Sequence, residues 1–162
     1  MPICEQCGVE HPADELELSF RQPDAVAALS QEARSERVQE NKDLCVLDGQ
    51  RFFVRALLPL QVSGRATAYN VGVWVEVVRV VFERIYELWD NPDQSSEPSF
   101  AATLANDIPT HPQTVGLQAQ LSLTGPSTRP MIALDPAGHP LVSEQVRGIT
   151  PHRAYEYSSL FA

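Results

Sequence analysis

Two cysteines separated by two residues, Cys4-Glu5-Gln6-Cys7, with Gly8 directly behind them, are the residues of this chain best suited by type and spacing to chemistry. Two thiolates at that spacing turn back onto one zinc ion, and the glycine lets backbone amides approach the sulfurs, as in a zinc knuckle. A tetrahedral site needs two further ligands. Cys45 is the only other cysteine and His11 the nearest histidine, so Cys4, Cys7, His11 and Cys45 form the expected set, with His139 and His152 in reserve. Four filled positions leave no place for water, which makes the expected zinc structural and not catalytic. It would tie the knuckle-like segment 1–15 to the body of the domain. The same thiols also suit a redox dithiol, or a reduced pair with Cys45 buried on its strand as a small apolar residue. A thioredoxin-like dithiol would need a βαβ setting, which these residues lack.

His139 and Glu144, with Arg147 beyond them, form a second group. A histidine beside a carboxylate performs general acid and base work, and an arginine holds an anion. Against that, no nucleophile or glycine-rich phosphate loop accompanies them. The plainer expectation is that His139 caps a turn and that Glu144 and Arg147, three residues apart, make an ordinary helix-surface pair. Trp74, Trp89, Phe52 and Phe53 could line a ligand groove, but they fall in segments that already need core residues.

The elements that must position these groups follow from patterning. Leu44-Cys45-Val46-Leu47 and Phe52-Phe53-Val54 flank Asp48-Gly49, a pair that adopts the positive φ angles of a tight hairpin. Val71, Val73, Val75 and Val77 share one face of a strand at 69–77 and Trp74 the other, which predicts a central strand under helices. Val78, Val81, Phe82, Ile85, Leu88 and Trp89 recur at helical spacing, so a helix over 78–89 follows, without a capping side chain at its start. Further strands are predicted at 16–20, 100–104, 115–124 and 131–134, and a mostly solvated helix over 24–41 with Ser30 as an internal cap. Near the end, 141–147 reads as a helix stopped by Gly148, and Thr150-Pro151 opens a final helix packed down by Tyr157, Leu160 and Phe161. The order gives one α+β domain over 1–162, with a mainly antiparallel sheet, one inserted helix and C-terminal helices.

At 162 residues, with 43% hydrophobic and 20% charged residues, the chain can bury a core without disulfides. No apolar run is long enough to span a membrane, and Met1–Gly8 carries no secretory pattern, so the expected location is the cytoplasm. The net charge is −9, more than half of it within residues 1–42, and the twelve basic residues are scattered singly along the chain. That distribution argues against nucleic acid, which requires clustered cations, and leaves room for a basic protein partner.

Several blocks in fixed order carry a family resemblance: Cys4-Glu5-Gln6-Cys7-Gly8 with His11, then Asp43-Leu44-Cys45-Val46-Leu47-Asp48 and Phe52-Phe53-Val54-Arg55, then Gly72-Val73-Trp74-Val75. Glu87-Leu88-Trp89, Gly138-His139-Pro140-Leu141, Glu144-Gln145 and Arg147-Gly148-Ile149 continue it. Over nearly its full length the chain resembles the bacterial domain of unknown function 2199 family, while Glu76–Val81 departs from the family pattern. The resemblance implies a bacterial source and no activity. Two functional expectations remain. One is a non-enzymatic protein-binding domain, adaptor or immunity-like, with structural zinc. The other is a small metal-dependent or His-based hydrolase using His139 and Glu144.

Overall fold

The computed structural model describes residues 16–160, so the knuckle with Cys4, Cys7 and His11 lies outside the described residues, as does Phe161. The hairpin forms where the Asp-Gly pair predicts it. Asp48 and Gly49 have φ of 56° and 63° and turn the chain from β2 (Leu44–Leu47) into β3 (Arg51–Leu60). A short β1 (Val38–Glu40) pairs antiparallel outside β2. β3 has ten residues, longer than the predicted 52–54, and its length gives one edge two partners: Arg51–Val54 pair with β2, and further along Leu57 pairs with Met131 of β7 (Met131–Leu134).

That second pairing closes the sheet. β4 (Tyr69–Val77) lies antiparallel along β3, and β5 (Phe100–Leu104), β6 (Gln118–Ser122) and β7 follow in order, each antiparallel to its neighbour. The β3–β7 contact is parallel, so the mainly antiparallel sheet predicted from sequence is curled into a five-stranded closed barrel that carries β1 and β2 on one rim. Closure removes sheet edges, and every second side chain must then point inward. Val71, Val73 and Val75 of β4 are fully buried there against Val54, Ala56 and Leu58 of β3.

Helices close the barrel. α3 (Arg79–Leu88) buries Ile85 and Leu88 in the barrel core and tilts Phe82 onto Phe52 with ring centroids 5.1 Å apart; as predicted, no side chain caps its start. α4 (Pro140–Arg147) ends at Gly148, whose φ of 87° is the left-handed backbone that a side chain would strain. α5 (Pro151–Ser159) starts with the Thr150 hydroxyl accepting from the Arg153 amide, and buries Ala154 and Tyr157.

The outer face of β2, β3 and β4 carries a smaller second core. Cys45, Leu47, Phe53 and Trp74 are buried there with Val26 and Ala105. Of the aromatics that could have lined a groove, Phe52, Phe53 and Trp74 are core, and Trp89 is partly buried against the barrel core.

Three predicted elements differ. Residues 16–20 make a single parallel bridge, Ser19 to Gly72, instead of a strand, because only Leu18 and Phe20 find apolar neighbours while Leu16 stays exposed. The long helix over 24–41 is two short ones, α1 (Asp24–Ala27) and α2 (Gln31–Arg37), followed by β1. Ser30 is the cap between them, its hydroxyl accepting from the Ala33 amide, and the free edge of β2 draws Val38–Glu40 out of the helix. The strand predicted at 115–124 is limited to Gln118–Ser122, because Gly116 and Leu117 turn back to bond Leu104.

Candidate functional site

The one dense cluster of titratable side chains among the described residues forms where α4, α5 and the 109–112 loop meet. Glu144 is its hub. Its Oε1 accepts from the Tyr157 hydroxyl at 2.5 Å and lies 2.9 Å from His111 Nε2, while Oε2 accepts from Arg153 Nε at 2.7 Å. Arg153 also donates to the Thr110 hydroxyl at 3.2 Å, and its guanidinium stacks 4.6 Å from the centroid of the Tyr157 ring. His111 Nε2 is 2.7 Å from the Tyr157 oxygen and 3.0 Å from Arg153 Nη2. One ring nitrogen serves one of these partners at a time: protonated it donates to Glu144, unprotonated it accepts from Arg153 or Tyr157.

Local sequence explains the assembly. Pro109 and Pro112 bracket Thr110-His111, and Thr110 takes a φ of 74°, rare for a β-branched residue and tolerated only where the surroundings hold it. The Arg153 bond to its hydroxyl is one such hold. The His111 side chain is 2% exposed and that of Glu144 17%, so the cluster sits under the surface with one carboxylate edge near solvent.

The electrostatics favour a fixed charge. Burial alone would raise the Glu144 carboxyl, but hydrogen bonds from His111, Arg153 and Tyr157 outweigh it and hold the group down at about 2. Burial first, and then the bond to that carboxylate, push the Tyr157 phenol well above its ordinary value. Burial opposes the Arg153 charge, yet the Glu144 bond more than restores it. The three groups are set as carboxylate, phenol and guanidinium over the whole neutral range.

The structure separates the residues that the sequence grouped. His139 is the cap of α4, as the plainer expectation held: Nδ1 accepts from the Leu141 amide at 3.0 Å, and Nε2 lies 3.1 Å from the Gln113 carbonyl, to which it donates when protonated. Its ring stands 6.0 Å from that of His111 without reaching Glu144 through any hydrogen bond. The expected Glu144–Arg147 surface pair does not form. Glu144 turns instead to Arg153 on the next helix, where the partner is half-sheltered and the bond stronger. His111 and Arg153 carried no sequence signal beyond the two prolines around the histidine. Tyr157 was predicted to pack but not to bond.

An open groove of about 370 Å³ passes Glu144 and Arg153 between Ser63 and Thr150. The Thr150 hydroxyl is occupied as a cap, and no base among the described residues hydrogen-bonds the Ser63 hydroxyl, so no activated nucleophile faces the carboxylate. Among the described residues no three His, Cys, Asp or Glu side chains are arranged to hold a metal ion. Of the expected zinc ligands only Cys45 is described. It is fully buried on β2, and burial, then the nearby Glu40, push its thiol up to about 12. Nor is any helix among the described residues long and apolar enough to cross a membrane.

Fold and cluster together define an α+β domain on a small closed barrel, with a polar cluster whose members hydrogen-bond one another around Glu144. Over residues 3–149 the chain matches the model of a family described as an uncharacterized protein conserved in bacteria, DUF2199, and it belongs to that family. No curated protein and no solved structure matches it.

Proposed function

We propose that this protein is a non-enzymatic binding domain, of adaptor or immunity type, that docks another protein and is braced by structural zinc. The observation that carries the reading is the satisfied state of the Glu144 cluster. A general acid or base works best with a pKa near the working pH and with a free path to substrate, whereas Glu144 is held ionised by three donors. No observation favours the hydrolase reading built on His139 and Glu144, since each is engaged apart from the other.

The docking face is the outer side of α3. Val80 is 71% exposed and Tyr86 66%, and helical geometry sets them on either side of Glu83, which has no ion pair among the described residues. Apolar side chains around an unpaired carboxylate, on a chain of net charge −9, suit a partner segment that is apolar and basic. Affinity capture from the native host, with wild type beside Val80→Asp combined with Tyr86→Ser, tests this. The reading expects a stoichiometric partner held by the wild type and lost from the variant. A wild type without a partner, or one captured equally by both, contradicts it.

The zinc part of the proposal rests on Cys4, Cys7, His11 and Cys45. Because the Cys45 thiol is held protonated, metal uptake there must expel its proton. Elemental analysis of tag-free protein is expected to find stoichiometric zinc that Cys45→Ser loses while the sheet survives. Equal zinc in that variant removes Cys45 from the ligand set.

A further inference from the structure

Basic residues that are scattered in sequence converge in space on one side of the second core. An open cavity of about 460 Å³ lies beside β1 and β3, and Arg21, Arg34, Lys42 and Arg55 line it, a third of all the cations in the chain and its only lysine. Among the described residues of the lining the one carboxylate is Glu40, and that group is already bound by the Gln22 amide at 3.0 Å. The other end of the same Gln22 side chain accepts from Arg34 at 3.0 Å, so the amide stands between the two charges. None of the four cations has an ion-pair partner among the described residues.

Arg55 is the one of the four with a buried donor left over. Nη2 donates to the Ser19 hydroxyl at 2.9 Å and Nη1 to the Lys42 carbonyl at 3.3 Å, but the buried Nε finds no acceptor among the described residues. Its guanidinium lies over the Trp74 ring, 6.0 Å from the centroid. Ser19 reaches it only because Gly72 lacks a side chain: a Cβ there would stand 2.5 Å from the Ser19 oxygen. Burial first, and then the neighbouring Arg129, lower the Arg55 pKa, with Asp43 nearby opposing them, so the guanidinium is chiefly a cation short of solvent. A protein of net charge −9 that gathers around one concavity four cations without an ion pair among the described residues, one of them with a buried donor left over there, offers a site for negative charge.

We propose that this cavity binds a phosphate-type oxyanion, carried as the phosphomonoester end of a small molecule. Guanidinium forks and an ammonium match a tetrahedral, multiply charged anion better than a single carboxylate. The cavity is larger than bare phosphate needs, so the organic remainder has room beside Asn41 and Gln22. The site stands apart from α3 and does not depend on the protein-docking reading.

Amide NMR of the full chain, titrated in parallel with inorganic phosphate and with adenosine monophosphate as a model phosphomonoester, tests the proposal. Saturable shifts are expected at residues 21–22 and 41–43, with a Kd on the order of 1 mM or tighter and with the monophosphate binding more tightly than phosphate. Arg55→Gln weakens both at least tenfold, and Lys42→Gln, at an exposed side chain that folding does not need, weakens them less. Tighter binding of free phosphate than of the monophosphate restricts the site to the inorganic ion and overturns the phosphomonoester assignment. Drift without saturation, or equal affinity in wild type and Lys42→Gln, overturns the site itself, whether or not Arg55→Gln folds.

Discussion

The Glu144 cluster and the Arg55 cavity hold similar side chains in opposite states. Around Glu144 a carboxylate, a guanidinium, a phenol and an imidazole close on one another, and each has its partner within the cluster. Around Arg55 four cations face one carboxylate that is already bound, and a buried donor is left over. Burial with a partner makes a polar group part of the architecture, and burial without one makes it a site. A histidine and a glutamate near each other in sequence therefore point to function less reliably than unpaired charge in space.

The comparison breaks most visibly at Glu144. Glu144→Gln leaves the half-buried Arg153 with only the longer ion-pair contact to the more exposed Glu156, and chemical denaturation at neutral pH is expected to show a loss of roughly 2–4 kcal/mol with phosphate affinity unchanged. Gly72→Ala comes next. The new Cβ drives Ser19 off the barrel, costing about 1–3 kcal/mol in the same assay, and it loosens the anion site because Ser19 no longer braces Arg55. Tyr157→Phe keeps the buried ring and loses the hydroxyl bonds to Glu144 and His111, an expected loss of about 1–2 kcal/mol by thermal or chemical unfolding. The smallest effect on folding belongs to Arg55→Gln, expected within about 1 kcal/mol of wild type because a charge no longer has to be buried there, which offsets the lost bonds, although its phosphate affinity falls the furthest.

Much of this architecture was legible in the sequence because local and global signals agreed. Asp48-Gly49 fixed a hairpin, four alternating valines marked a barrel strand, and Thr150-Pro151 and Gly148 marked helix ends. Barrel closure was not legible. It depends on the parallel contact of Leu57 with Met131, far apart in the chain, and periodicity says which face is buried without saying which strand lies beside it. The break of the 24–41 helix had a local sign in Ser30, but the pull of β2 on Val38–Glu40 is tertiary and overrode helix propensity. For the cluster, Glu144 could be named while its partners could not: Arg153 lies on the following helix and His111 on a proline-bracketed loop. The cavity was hidden for the same reason, since Arg21, Arg34, Lys42 and Arg55 share no motif and meet only through the fold.

Stability as a function of pH, measured for wild type and Glu144→Gln together, tests most directly whether Glu144 is a structural anion. Its carboxyl titrates at an ordinary value near 4.5 when unfolded and at about 2 when folded, so the stabilisation is full above the unfolded value and fades as pH falls toward the folded one. The account predicts a wide, constant gap between the two proteins at neutral pH that narrows steadily from about pH 5 to pH 2. A gap that instead closes between about pH 6 and pH 8 would mean a carboxyl poised for proton transfer, and would contradict the structural role assigned to it here.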